Sequence, residues 1–204
     1  MSTANDYRIR KADFILGGYN LKDLPSTGKS EIAFLGRSNA GKSSLVNRLT
    51  NRKSLARVSR TPGRTQQINL FEVDLLTPAG ESIEFNLADL PGYGYGRFSK
   101  GRRQSLSSLI VSYLETRAEL ALVCLLQDSK RQPEGDELAV RDLCFENGIS
   151  LLVVATKCDR LSKKDLQKQT KSISESYRLL PEDLLISGQG VSIAKFWDRV
   201  VPLL

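Results

Sequence analysis

The sequence contains no histidine among its 204 residues, and this absence narrows the chemistry that the protein can perform. Histidine general bases, Ser-His-Asp triads and most zinc sites are excluded. Any catalysis must therefore rest on backbone amides, carboxylates, lysine, arginine or a hard metal ion.

Cysteine is scarce, and long apolar runs are missing. Cys124, Cys144 and Cys158 form no Cys-x-x-Cys pair, so we expect reduced thiols in a cytoplasmic protein. No apolar run approaches the length of a membrane span, and the first residues lack the apolar core of a signal peptide. We therefore expect no membrane association.

Acidic residues are absent from two windows of the chain, residues 48–71 and 90–114. These windows hold ten of the 30 basic residues and none of the 23 acidic ones. The net charge of +7 therefore arises entirely within them. Such concentrated positive charge indicates a partner rich in phosphate, such as RNA, although a solvated basic face is an alternative.

Apolar runs alternate with amphipathic stretches, which is typical of a doubly wound α/β fold. The predicted strands are Glu31–Gly36, Ile68–Leu76, Ser82–Asp89, Leu120–Leu126, Ser150–Ala155 and Leu184–Ile186. The predicted helices are Lys42–Asn51, Gln104–Arg117, Glu134–Asn147, Lys163–Tyr177 and Ile193–Leu203. We expect a mostly parallel, six-stranded sheet with helices on both faces, in one domain over residues 26–204. Residues 1–25 are predicted to form a loosely ordered arm.

The tripeptide Gly-Lys-Ser, which ends many phosphate-binding loops, occurs twice. At Gly41–Ser43 it has a glycine five residues earlier, at Gly36, a predicted strand before it and a predicted helix after it. At Gly28–Ser30 it has Asp23 in place of that glycine and a strand after the lysine, so we interpret it as a polar turn.

The phosphate loop, Gly36–Ser43, is predicted to wrap its backbone N–H groups around a phosphate at the start of a helix. Lys42 would reach the β- and γ-phosphates, and the Ser43 hydroxyl would bind Mg²⁺. The residues expected around the phosphates are Gly36, Arg37, Ser38, Asn39, Ala40, Gly41, Lys42, Ser43 and Ser44.

Two further segments are predicted to complete the phosphate and metal site. Asp89-Leu90-Pro91-Gly92 follows a strand, so that Asp89 can hold a Mg²⁺-bound water and the Gly92 N–H can contact a γ-phosphate. Thr65 lies between the first predicted helix and the next strand, where its hydroxyl can bind Mg²⁺.

The base of the nucleotide is predicted to bind at Thr156-Lys157-Cys158-Asp159, which follows the strand Ser150–Ala155. The Asp159 carboxylate can accept hydrogen bonds from guanine N1–H and the exocyclic amine, whereas adenine has no donor at N1. The Lys157 stem can lie along the nucleotide, and Ser187 or Gly188 can offer an N–H to guanine O6. Taken together in this order, the phosphate loop, Thr65, Asp89–Gly92 and the base-binding segment resemble the motif series of the translation-factor-like P-loop GTPases, which have a Ras-like fold.

Four stretches carry a resemblance to one family. They are Gly-Arg-Ser-Asn-Ala-Gly-Lys-Ser-Ser-Leu-Val-Asn at 36–47, Thr-Pro-Gly-Arg-Thr-Gln at 61–66, Asp-Leu-Pro-Gly-Tyr-Gly-Tyr at 89–95 and Thr-Lys-Cys-Asp at 156–159. They resemble the EngB family, also called YihA or YsxC. The resemblance implies a GTP-binding protein needed for assembly of the large ribosomal subunit and for normal cell division and septation. It also implies nucleotide contacts by Gly63, Arg64 and Thr65.

The mechanism has an evident gap at the position that orients water. Many relatives place glutamine directly after the Asp-x-x-Gly, but this chain has Tyr93, so we expect slow intrinsic hydrolysis. Asn39 can help to hold K⁺ near the phosphates, in analogy with similar GTPases, or it can serve only the loop conformation. Arg60 or Arg64 as an arginine finger in the same chain is a further alternative.

The partner is predicted to be the precursor of the large ribosomal subunit, bound as rRNA and ribosomal protein through the two basic windows. Tyr93, Tyr95 and Phe98 can stack on bases, or they can pack on the domain. We expect a monomer that does not bind DNA. The Ser187-Gly-Gln-Gly190 loop is shorter than is usual in the family, which predicts less secure guanine contacts. Thr156 stands in place of the commoner asparagine, which is within the family pattern and predicts a weaker tether between the base-binding segment and the phosphate loop.

The alternatives are an ATP-hydrolysing enzyme, a non-catalytic nucleotide-gated module that binds RNA or protein, and a scaffold for the membrane or division machinery. Asp159 argues against the first. The absence of an amphipathic anchor argues against the third.

Overall fold

A seven-stranded sheet with helices on both faces forms the molecule. The computed structural model describes residues 6–53, 55–56, 67–93 and 100–204, and for 100–107 it describes the backbone only. Its strands are β1 (Arg8–Gly18), β2 (Glu31–Gly36), β3 (Ile68–Leu76), β4 (Ser82–Asp89), β5 (Leu120–Asp128), β6 (Ser150–Thr156) and β7 (Leu185–Ile186). Its helices are α1 (Lys42–Leu49), α2 (Lys100–Thr116), α3 (Gly135–Glu146), α4 (Lys163–Tyr177) and α5 (Ala194–Val200).

The strand order is β1-β3-β4-β2-β5-β6-β7, with β2 at the centre. The β1–β3 and β3–β4 pairs are antiparallel, and the remaining four pairs are parallel. The predicted mostly parallel α/β sheet is therefore confirmed, with one strand more than expected.

The core has two halves because side chains alternate between the faces of each strand. In β2, Ile32 and Phe34 pack with α1 and α5, whereas Ala33 and Leu35 pack with α2, α3 and α4. All four side chains are fully buried. This burial on both faces is the reason that β2 reads as a continuous apolar run.

The additional strand is β1, in the segment for which the sequence predicted a loosely ordered arm. It pairs with β3 from Arg8↔Leu76 to Gly18↔Ile68, with irregularities at Arg10 and Ile15. Two bulges break the period-two pattern of a strand, and β1 lies at the sheet edge, where most of its side chains are exposed. The prediction failed for this reason.

The parallel strands bring their carboxyl ends to one edge of the sheet, where ligands bind in folds of this kind. The loops that follow β2, β4, β5, β6 and β7 all begin at this edge. Every predicted site residue that the structure describes lies at the last position of one of these strands, in the loop that follows, or in the first turn of α1. None of the helices in the described ranges reaches the length and hydropathy that a bilayer span requires. The three cysteines are free and buried.

Candidate functional site

The phosphate loop joins the end of β2 to the start of α1. Its turn is made by Asn39, with φ of +65°, and by Gly41, with φ of +99°. The first value lies in the left-handed region that asparagine tolerates, and the second favours glycine. The loop therefore reverses direction in a few residues and leaves the first N–H groups of α1 directed out of the helix end.

Lys42 and Asp89 form a buried ion pair at the centre of this edge. The Lys42 ammonium donates to the Asp89 carboxylate, and both side chains are less than a tenth exposed. They meet because β2 and β4 are parallel neighbours, with Phe34 in register with Asp89. The lysine predicted to bind phosphate and the carboxylate predicted to bind the metal are therefore in direct contact.

The Asp89–Gly92 segment packs directly against the phosphate loop. The Ser38 N–H donates to the Tyr93 carbonyl at 2.9 Å, and Arg37 and Tyr93 form an isolated parallel bridge. A Cβ added at Gly92 would lie 3.2 Å from Ser38 Cα, a tight contact, so the close approach of the two backbones favours glycine. Leu90 and Pro91 are buried beneath this contact.

Tyr93 turns its side chain into the protein. Its ring packs against the core under α3, and its buried hydroxyl has no hydrogen-bond partner among the described residues. Burial raises its pKa well above the ordinary value, and the carboxylate of Glu137 adds to the effect. Of the two alternatives for Tyr93, stacking on bases or packing on the domain, the structure has the second.

Thr156 links the base-binding segment to the phosphate loop. Its hydroxyl lies 2.5 Å from the Ala40 carbonyl and 3.2 Å from the Gln127 carbonyl, so it can donate to either. Its side chain is buried between the two loops. The tether between the two loops is therefore made by the short threonine hydroxyl, which reaches the Ala40 carbonyl directly.

Lys157 and Asp128 form a second ion pair at the edge. The distance from Lys157 Nζ to Asp128 Oδ2 is 2.6 Å. Although burial opposes its ionisation, the contact with Lys157 holds the pKa of Asp128 below its ordinary value. Together with Asn39 and Arg131 they line a cavity of about 320 Å³ beside the phosphate loop. Lys157 has φ of +58°, which orients its side chain at the start of the turn.

Arg37 directs its side chain away from the phosphate loop toward α3. Its guanidinium lies 2.5 Å from Glu134, the residue before the first turn of α3, and this contact raises the pKa of Arg37. Only its backbone is available for a phosphate. Ser43 is half-buried in the first turn of α1, and Ser44 is exposed.

The residues predicted to bind guanine come from two adjacent turns. The Cys158 N–H donates to the Ser187 carbonyl at 3.2 Å, and the Ser187 N–H donates to Ala155 at 2.7 Å. The predicted offer of the Ser187 N–H to a base is therefore wrong, because the β6–β7 pairing uses this group. Gly188 is the first residue beyond it, and the exposed Asp159 side chain lies against it.

Gly63, Arg64 and Thr65 lie outside the described residues, as do Arg60, Tyr95 and Phe98. The chain leading toward them is held at Ala56. The buried Asn47 amide donates to the Ala56 carbonyl at 2.8 Å and accepts from its N–H at 2.7 Å. Asn47 thus fixes the start of the first basic window to α1.

Sequence reasoning missed several side chains that shape the site, chiefly Asp128, Glu134 and Arg48. Asp128 had a usable signal, since a carboxylate at the carboxyl end of a strand faces the ligand edge. Glu134 and Arg48 had none, because their partners lie 97 and 140 residues away in the chain.

Comparison with known proteins supports this arrangement. Residues 31–157 match the model of a family described as 50S ribosome-binding GTPase. The chain is 42% identical over 178 residues to a probable GTP-binding protein EngB of Clostridium beijerinckii, which covers 87% of this chain and 86% of the relative. It is 38% identical over 196 residues to the EngB of Alkaliphilus metalliredigens, with 95% and 90% covered.

Solved structures show the same fold. A crystal structure of a probable GTP-binding protein engB superposes with a TM-score of 0.66 at 24% identity, covering 85% of this chain and 98% of that one. A structure of Era with MgGDPNP and nucleotides 1506–1542 of 16S ribosomal RNA gives a TM-score of 0.68 at 18% identity, covering 86% of this chain and 56% of that one.

Proposed function

The chain belongs to the EngB family of GTP-binding proteins and is a GTPase, and from this premise we propose that it acts as a nucleotide switch in assembly of the large ribosomal subunit. One observation carries the proposal. The phosphate loop and the Asp89–Gly92 segment are in direct backbone contact at Ser38 and Tyr93. A γ-phosphate that displaces Gly92 would therefore act at the start of the second basic window, residues 90–114.

Phosphate binding is assigned to the phosphate loop. Its N–H groups and the positive end of α1 neutralise phosphate charge, and Lys42 reaches the β- and γ-phosphates. The side chain of Lys42 is already held at the loop by Asp89. Little conformational entropy is then lost when its ammonium exchanges a carboxylate for a phosphate.

Magnesium is the metal that fits the residues present. A serine hydroxyl at the start of α1 and the Asp89 carboxylate are hard oxygen donors, which Mg²⁺ prefers together with nucleotide phosphates. We assign Ser43 as a direct ligand, Asp89 through water, and Thr65 as a further ligand. Mg²⁺ held by these residues would supply neutralisation of the phosphate charge.

Base recognition is assigned to Asp159, with Lys157 along the nucleotide and an N–H from Gly188 or beyond toward guanine O6. The Thr156–Ala40 hydrogen bond supports this assignment, because it keeps the base-binding turn at a set distance from the phosphates. A titration with fluorescent GDP and ADP tests it, and equal affinity would contradict it.

Hydrolysis is expected to be slow without a partner. The side chain of Tyr93 is directed into the core, so it cannot orient an attacking water. We expect intrinsic turnover of roughly 10⁻⁴ to 10⁻² s⁻¹, the range of unassisted GTPases. The family role in cell division and septation belongs to the same proposal as a consequence of ribosome assembly.

The proposed partner is tested by pelleting with precursor particles of the large subunit over a KCl series. We expect binding with a non-hydrolysable GTP analogue to exceed binding with GDP, and to fall steeply as salt rises. Lys42→Met is the matched control, since its binding to the particles should be the same with either nucleotide. Wild-type binding that depends neither on the bound nucleotide nor on the KCl concentration would contradict the proposal.

A nucleotide-gated binding module with negligible hydrolysis is the second candidate, and it is favoured by Tyr93, whose ring packs against the core. Single-turnover hydrolysis with and without precursor particles separates the two. Acceleration by the particles supports the switch with hydrolysis. Unchanged, negligible turnover together with retained particle binding supports the module.

Stimulation by K⁺ is a separate prediction. The left-handed conformation of Asn39 accounts for asparagine at this position without any ion. Turnover in KCl and NaCl at matched ionic strength therefore decides the question. Faster turnover in KCl that is lost in Asn39→Gly, which keeps the loop conformation, supports an ion site. Equal turnover rejects it.

A further inference from the structure

Arg48 connects the helix of the phosphate loop to the predicted guanine pocket. It lies in the last turn of α1, and its half-buried side chain extends to the loop after β7. Its Nη1 donates to the Gly188 carbonyl at 2.6 Å, and its Nη2 donates to the Val191 carbonyl. One planar guanidinium therefore holds two carbonyls of the same loop.

The loop that Arg48 holds, residues 187–191, has little support of its own. The strand before it has only two residues, and Gln189 and Gly190 are exposed. Within the loop, the Val191 N–H donates to the Gly188 carbonyl at 3.2 Å, which closes a turn. Arg48 contacts the carbonyls at both ends of this turn, so it constrains the whole turn.

Gly188 in turn lies against Asp159. A Cβ built on Gly188 would come within 2.6 Å of Asp159 Oδ1 and 2.9 Å of the Asp159 nitrogen. The position of the Gly188 backbone therefore limits where the carboxylate can lie. Burial lowers the pKa of Arg48, and the charge of the Asp159 carboxylate offsets part of this effect.

We propose that Arg48 is a positioning residue for guanine selectivity. It fixes the 187–191 loop against Asp159, so that the groups that contact guanine are in place before the base binds. The inference depends on the proposed role of Asp159 as the guanine acceptor. Arg48 touches neither base nor phosphate in this scheme. It acts by preorganisation, which reduces the entropy lost when the base binds.

The consequence is specific to the base. Without Arg48 the turn loses two charge-assisted hydrogen bonds, and the donor for guanine O6 is no longer held in place. We expect the affinity for GDP to fall about 10-fold, since a lost or misaligned buried hydrogen bond costs on the order of a factor of ten. Binding of a ligand without a base should not change.

The test uses the full chain and three variants. Arg48→Met keeps the apolar stem and removes the donors, and Arg48→Lys keeps the charge but lacks the planar fork that spans both carbonyls. Arg52→Met is the control, because it removes an exposed basic residue close by in the same segment. Each variant and the wild type are titrated with GDP, ADP and magnesium pyrophosphate, and the melting temperature is measured without nucleotide.

The proposal predicts that Arg48→Met weakens GDP about 10-fold, moves the GDP/ADP affinity ratio toward one, and changes pyrophosphate affinity by less than about twofold. Arg48→Lys should recover part of the GDP affinity, and Arg52→Met should resemble the wild type. If Arg48→Met does not fold, Arg48→Lys carries the test, with a smaller loss confined to GDP.

Equal losses of GDP and pyrophosphate affinity would overturn the proposal, since they would mean that Arg48 only stabilises the fold. An unchanged GDP affinity in Arg48→Met would also overturn it. A wild-type protein that binds GDP no better than ADP would instead overturn the assignment of Asp159 as the guanine acceptor.

Discussion

The same tripeptide, Gly-Lys-Ser, stands at both ends of the central strand β2. Gly28–Ser30 leads into its amino end, and Gly41–Ser43 follows its carboxyl end after a four-residue turn. Both glycines have positive φ, +67° and +99°, and both lysines form ion pairs with carboxylates of the neighbouring strands. Local chemistry is therefore nearly identical in the two copies.

The surroundings of the two lysines differ. Lys29 lies 2.6 Å from Glu72 and 2.7 Å from Glu84, with about a quarter of its side chain exposed. Lys42 is buried with Asp89 at the edge where the loops of five strands converge. The lysine of the first copy therefore links β3 and β4 through ion pairs. The second copy places the Lys42 ammonium and the start of α1 close together at the carboxyl edge of the sheet.

The difference teaches that the amino end of β2 is built for stability and the carboxyl end for binding. At the amino end, fully buried Glu31 receives hydrogen bonds from Tyr113 and Arg117, and the Arg117 guanidinium also donates to the Pro25 carbonyl at 2.8 Å. Although burial opposes the charge, these contacts with Glu31 hold the pKa of Arg117 above its ordinary value.

The largest expected effect would come from breaking the amino end. Arg117→Met leaves the Glu31 carboxylate buried without its cation, which should cost about 3–5 kcal/mol of unfolding free energy. Chemical denaturation measures this loss. The GDP affinity of the folded fraction should not change, because the site is at the other end of the sheet.

Arg199→Met is the control for Arg117→Met, since its ion pair with Asp183 is nearly half exposed. It should cost less than about 1 kcal/mol. If Arg117→Met weakened GDP binding as strongly as it weakened folding, the separation of the two ends would be wrong.

The next effect separates the two lysines directly. Lys42→Met would remove the proposed charge-assisted hydrogen bonds to the β- and γ-phosphates of GTP, and to the β-phosphate alone of GDP. At roughly 1.5–3 kcal/mol per bond, GTP affinity should fall at least about 100-fold and GDP affinity at least about 10-fold. Lys29→Met should change these affinities by less than about twofold. Fluorescent nucleotide titration measures both, with circular dichroism to verify folding. Similar losses in both variants would show that the copies are not distinct.

A smaller effect is expected at the two glycines. Gly41→Ala forces a φ of +99° on alanine and misaligns the N–H groups of the phosphate loop, so we expect about 10-fold weaker GDP binding. A side chain at Gly28 meets open space. Gly28→Ala should cost about 1 kcal/mol of stability and leave GDP affinity as in the wild type. Weaker GDP binding in Gly28→Ala would contradict this distinction.

The smallest effect depends on pH. Hydrogen bonds from Lys11 and Lys29 lower the pKa of Glu72 from its ordinary value of 4.5 to about 2. A lowered carboxyl pKa stabilises the fold above the unfolded value, and the contribution is lost as pH falls from about 4.5 toward 2. Since these lysines are partly exposed and screened, we expect about 1 kcal/mol or less.

Glu72→Gln tests this contribution by urea unfolding at pH 6 and pH 3. The variant should be less stable than the wild type at pH 6, and the gap should narrow at pH 3. Asp13→Asn is a control, because Asp13 is exposed and its ion pair with Lys11 is long, at 3.9 Å. A gap that widens at low pH would contradict the sign of the effect.

Local patterns were sufficient to predict the phosphate loop and most of the fold. A phosphate loop is a contiguous turn between a strand and a helix, so residues 36–43 carry all the information that it needs. The same holds for β2, whose burial on both faces produces an unbroken apolar run, and for α4, whose predicted bounds Lys163–Tyr177 are those observed. Family membership follows from such stretches.

Only the tertiary structure decided which residues meet across the sheet. The edge strand β1, the inward turn of Tyr93 and the use of the Ser187 N–H all depend on neighbouring strands distant in sequence. Arg48 reaches Gly188 across 140 residues, and no local period records such a contact. Sequence alone therefore identified which Gly-Lys-Ser could bind a phosphate. Strand order decided what surrounds it, because pairing brings together residues that no short window contains.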